Sequence, residues 1–139
     1  MKKETVSENG LLITIVILTI ILSILGRLMS FGMITALFTC VPIIPLYFLL
    51  FFISGVSLAK VNKKNTNDYI LFSALCITMI ISSFTFIDAN NNGISNMLFE
   101  NTNNAIFQYI SIIAFISNIV LAIYAIIITG KRKYIYEKK

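Results

Sequence analysis

The side chains of this 139-residue chain that could do chemistry are few and far apart. There is no His, so the usual proton carrier near neutral pH is missing. The two cysteines, Cys40 and Cys76, fall near opposite ends of apolar runs. At about 1.5 Å of rise per helical residue their depths differ by roughly 15–20 Å, whereas a disulfide needs Cα atoms within about 7 Å. Two free thiols are expected, which excludes membrane thiol oxidoreductases that use paired cysteines. No zinc-like cluster, Gly-rich phosphate loop, nucleophile elbow or carboxylate pair is present. The expectation is therefore a non-enzyme with no catalytic residues, no metal and no cofactor.

Two sets of polar residues remain. The first is Arg27, Asp88 and Glu100, each at the boundary of an apolar run. They could form a surface ion pair, worth about 0–1 kcal/mol, or offer an acidic edge to a cationic partner. The second set lies inside the runs at helical spacing. Thr19, Ser23, Gly26 and Ser30 are spaced four, three and four; Ala74, Thr78, Ser82 and Thr85 four, four and three. Ser111, Asn118, Ala122, Ala125 and Thr129 share a face, and Gly55 and Ala59 form a small-xxx-small pair. Such stripes let helices approach and bond one another in lipid. Their other use is a polar passage, with Ser82, Thr85, Ser111 and Asn118 as its lining. An unpaired amide in hydrocarbon costs several kcal/mol, so Asn118 is expected to face a partner.

The elements that must carry these residues are four apolar runs, about 11–30, 41–59, 69–87 and 105–130. Each approaches the roughly 20 residues needed to cross a bilayer core. The chain is 58% hydrophobic and 12% charged, against about 25% charged in a soluble domain. So few charges cannot build a polar shell, and the mean hydropathy of +0.89 agrees. The fold expected is an all-α integral membrane protein, a single four-transmembrane-helix bundle over 1–139. Arg27 follows the first run with no small-x-small site before it, so that run reads as an uncleaved span. Thr5 and Glu8 have capping-box spacing, which starts the first helix before Leu11.

Orientation comes from charge. Lys60, Lys63 and Lys64 lie in the loop 60–68. Placing that loop in the cytoplasm also puts both termini there, with Lys2, Lys3, Lys131, Arg132, Lys133, Lys138 and Lys139, and leaves Arg27 as the one basic residue outside. This bias sets topology. The outer loop 88–104 is rich in Asn, with a turn signal at Asn92-Gly93. Ile94, Met97 and Leu98 fall at the spacing of one interfacial helical turn. The other outer corner, 31–41, is uncharged. Pro42 suits the first turn of the second helix, and Pro45 is expected to kink it.

The leading functional expectation is a small bacterial membrane protein of the cell (inner) membrane that acts by contact, such as an immunity or resistance protein or an accessory subunit of a membrane complex. Abundant Ile and Asn fit an AT-rich genome. Its partners would be the lipid bilayer and a membrane protein or cationic peptide, with no nucleic acid. One alternative is a small oligomeric channel or transporter, assembled as a homo-oligomer around the polar stripes. However, no charged residue lies deep in a span, as proton-coupled carriers require. Another alternative is a phage holin, on size and the basic C-terminal tail. Partner, solute and oligomeric state stay open at this level.

Overall fold

The computed structural model describes the backbone of residues 2–29, 42–61, 64–85, 88–90, 93–95 and 105–137, and the side chains of 8–27, 42–61, 64–85 and 109–132. Four helices form the body: α1 (Lys2–Met29), α2 (Ile43–Ala59), α3 (Thr66–Phe84) and α4 (Ala105–Glu137). A short antiparallel ribbon of β1 (Asp88–Asn90) and β2 (Gly93–Ser95) follows α3, with Ala89 opposite Ile94. Long unbroken runs of Ile, Leu and Phe favour helices where the surroundings are apolar, because a helix satisfies its own backbone. Three stretches are long and apolar enough to cross a membrane: Glu8–Arg27, Thr66–Phe84 and Tyr109–Arg132. The apolar helix α2 is shorter, at 17 residues, or about 26 Å.

Polar contacts fix how the helices run. Lys64 Nζ donates to Asn9 Oδ1 at 2.6 Å and lies 3.8 Å from Glu8 Oε1. Tyr69 also donates to Glu8. Arg132 Nη1 meets Asp68 Oδ2 at 2.8 Å. The start of α1, the start of α3 and the latter part of α4 therefore share one end, called here the lysine end. At the opposite, arginine end, Arg27 of α1 and Ser111 of α4 both reach Ser82 of α3, and Tyr47 of α2 bonds the same serine. The helices thus alternate in direction. Among the described residues α1 packs on α2 and α3, α4 packs on α2 and α3, and α2 meets α3 across the middle. Two antiparallel hairpins, α1–α2 and α3–α4, lie side by side.

The distribution of side chains is inverted relative to a water-soluble bundle. Leu18, Leu22, Leu46, Leu49, Ile70, Ile113 and Val120 are exposed, whereas Thr19, Ser23, Ser54, Ser82, Ser111 and Asn118 are buried. The polar stripes face inward. Close approach is built in at Gly55, where a Cβ would fall 2.7 Å from Val16 Cγ2. Ala59, Ala122 and Ala125 are fully buried.

Local details differ from three expectations. Pro42 stands just before α2, and Pro45 occupies its third position. The first four N–H groups of a helix have no intrahelical acceptor, so Pro45 removes no ladder bond there; it belongs to the start of α2 and not to a kink. Helix α1 runs from Lys2, so Thr5 lies within the helix and not at the N-cap position just before it, and Glu8 meets Lys64 and Tyr69. Ile94 lies in β2 and so in no helical turn; Met97 and Leu98 are outside the described residues, as is the corner 31–41 with Cys40. Cys76 is a free, half-buried thiol.

Candidate functional site

At the arginine end, side chains from three helices converge on one residue of the fourth. Helix α3 finishes at Phe84, so the carbonyl of Ser82 is among the last four, which have no intrahelical donor. Two side chains supply one. Arg27 Nη2 donates to Ser82 O at 3.4 Å, and Ser111 Oγ donates to the same oxygen at 3.4 Å. The Ser82 hydroxyl donates to Met79 O at 3.0 Å. Its one hydrogen is then used, so in the 2.9 Å contact with Tyr47 the tyrosine O–H is the donor. One serine therefore ties all four helices together.

Arg27 is only 7% exposed. It is not the surface residue expected from its place at the edge of an apolar run. A cation here is favoured because α1 and α3 both end at this level, and helix C-termini carry partial negative charge. Asp88 opens β1, four residues beyond Phe84. Its side chain and all of Glu100 lie outside the described residues.

Beside this cluster is a cavity of about 150 Å³. Arg27, Tyr47 and Ser111 form its polar pole, and Ile44, Phe48 and Phe115 line it further along. Ile43 and Ile112 complete it and are themselves exposed on the outside of the bundle. The cavity therefore opens sideways, between α2 and α4. Tyr47 packs against Phe115 with ring centroids 4.6 Å apart.

Asn118 belongs to a different place. It is 1% exposed, and its Nδ2 donates to Leu75 O and to Thr78 Oγ1, each at 2.8 Å. It joins α4 to α3, seven residues along α4 from Ser111, or roughly 10 Å. Thr85, the C-cap of α3, donates to Ile81 O at 2.6 Å and enters no inter-helix bond among the described residues. Of the candidates, Arg27, Ser82 and Ser111 meet, while Asn118 and Thr85 stay apart. Tyr47 was not anticipated. Its signal was a lone phenol in a Leu/Phe run, because a buried Tyr hydroxyl normally finds a partner.

No group of His, Cys, Asp or Glu suited to a metal ion occurs among the described residues. The chain matches no family model, no curated protein and no solved structure.

Proposed function

We propose that this chain is a four-span, non-enzymatic protein of a bacterial cell membrane that acts by contact. In this reading both termini and the lysine end are cytoplasmic, and the partner is met at the arginine end. Membrane residence is supported by the apolar exterior, since a patch of that extent would associate in water. Helix α2 supplies the fourth span; its small shortfall against a 30 Å core is within what local thinning accommodates. Orientation is supported by the sequence, in which ten basic residues fall in the segments assigned to the cytoplasm in this reading, against Arg27 alone in the rest.

The observation that favours contact over conduction is the closed middle of the bundle. Val16, Phe51, Leu75 and Met79 are fully buried there, and Asn118 is engaged by α3. The polar stripes are turned inward, so they are not on hand to line a pore between copies. The partner would be a membrane protein or cationic peptide drawn to Asp88 and Glu100, as for an immunity protein or an accessory subunit.

The test compares two variant pairs at matched expression in a strain whose phenotype depends on the gene. Asp88→Asn with Glu100→Gln is expected to abolish the phenotype, whereas Asn118→Leu with Ser82→Ala removes bonds inside the bundle and is expected only to weaken it. Loss with the second pair alone, together with solute flux through liposomes holding only this protein, would establish the channel reading instead.

A further inference from the structure

We infer that the cavity between α2 and α4 is a dry binding site for a small neutral aromatic molecule about the size of benzene, entered sideways from the apolar exterior. This stands independently of the contact reading. Four features of the cavity carry it.

The first is the chemistry of the walls, which are almost wholly apolar. Their few polar groups are already engaged. The Tyr47 and Ser111 hydroxyls both donate to Ser82, and Arg27 donates to the Ser82 carbonyl. A charged or hydrogen-bonding guest would give up its water with no donor set aside to replace it. A neutral apolar guest has no such cost.

The second is size. A dry apolar cavity of about 150 Å³ takes benzene, and this one has about the same volume. The third is a preformed aromatic wall. The Tyr47 ring is pinned at its hydroxyl by Ser82. It packs on Phe115 at a centroid distance of 4.6 Å and on Phe48 at 6.0 Å, edge-on to the latter. Rings held in this way leave a guest ring the offset and edge-to-face arrangements that aromatic pairs prefer.

The fourth is access. The mouth lies between Ile43 and Ile112, both exposed on the outside of the bundle. That exterior is where an apolar solute concentrates. Acyl or detergent chains reach the same mouth, but a flexible chain must fix several rotatable bonds to enter. A rigid ring fixes none of its own.

The experiment titrates benzene into the full chain in detergent micelles, with the isoleucine δ1 methyl groups labelled with carbon-13 and followed by NMR. Single Ile→Val substitutions assign the signals. Ile44 and Ile112 line the cavity; Ile70 and Ile113 are exposed elsewhere and report on benzene dissolved in the micelle. Saturable shifts are expected at Ile44 and Ile112, and shifts linear in benzene at Ile70 and Ile113. Benzoate should bind at least tenfold more weakly than benzene, and 1,3,5-triisopropylbenzene should give no saturable shift. Two variants reduce the space: Ile112→Trp at the mouth, read at Ile44, and Ile44→Phe inside, read at Ile112. Each should weaken benzene binding by tenfold or more. Circular dichroism checks folding, and either folded variant decides if the other fails. Linear shifts at Ile44 and Ile112 in the wild type would mean that detergent chains hold the space, and would overturn the site. So would benzene binding unchanged in a folded variant, or triisopropylbenzene binding as tightly as benzene. Benzoate binding more tightly than benzene would overturn the neutral assignment.

Discussion

Gly55→Val is expected to destabilise the bundle by about 1–3 kcal/mol, and adding Val16→Ala to recover most of the loss. The Cβ of any residue at 55 falls 2.7 Å from Val16 Cγ2 and 3.3 Å from Cγ1. Both positions are buried, and Val16 has no exposure at all. A valine at 55 must therefore push α1 and α2 apart, which loosens contacts along the whole hairpin. In lipid this loss is not offset elsewhere, because helix association there depends on close packing and not on removing apolar area from water. Gly→Ala in a helix gains about 1 kcal/mol in intrinsic propensity, so Gly55→Ala should come out less harmful than Gly55→Val. The measurement is unfolding in mixed micelles titrated with a denaturing detergent, followed by circular dichroism. A Gly55→Val protein as stable as wild type would mean that α1 and α2 do not meet at this point.

The second large effect is expected at the other end. Asp68→Ala should cost about 2–3 kcal/mol, and Arg132→Ala distinctly less. Asp68 is 5% exposed and its Oδ2 has two donors, Arg132 Nη1 at 2.8 Å and the backbone N–H of Asn65 at 2.8 Å. Bonds to a charged group contribute about 1.5–3 kcal/mol each. The Arg132 side chain is 31% exposed, and solvent screening lowers its share. The Asn65 bond holds the start of α3, where an acid also complements the helix dipole. Losing Arg132 leaves that cap intact; losing Asp68 removes both contacts. A double-mutant cycle in the same detergent titration should give a coupling of about 0.5–2 kcal/mol for the pair. A coupling near zero would mean that Arg132 and Asp68 act separately.

How far these features could be read in advance depended on the range of the physics involved. The helical runs were legible because apolar length is a local property. The inward faces of Ser82, Ser111 and Asn118 were legible because helical spacing alone puts small and polar residues on one side. The gathering of Lys64, Asp68 and Arg132 followed from the even number of runs. Positions set by tertiary contact were not legible. Arg27 sits at the edge of its run, where a surface place is the ordinary expectation. The Ser82 carbonyl near the end of α3 is one acceptor that meets it inside the bundle, and that depends on where α3 stops. Tyr47 looked like one more aromatic in a Leu/Phe run until Ser82 faced it. Pro45 changed meaning through a shift of only a few residues in the start of α2. Ile94 was assigned by spacing to a helical turn, but backbone pairing across Asn90 and Gly93 put it in a strand.

The central claim is a membrane bundle whose lysine end is cytoplasmic and whose arginine end faces outward. It is tested most directly by cysteine labelling of intact cells with a membrane-impermeant maleimide. In a Cys40→Ser, Cys76→Ser background, Ser95→Cys reports on the ribbon after α3, and Asn65→Cys reports on the lysine end. The account expects Ser95→Cys to be labelled in intact cells and Asn65→Cys only after lysis, with both proteins in the membrane fraction. The reverse pattern, or recovery of the protein in the soluble fraction, would contradict it.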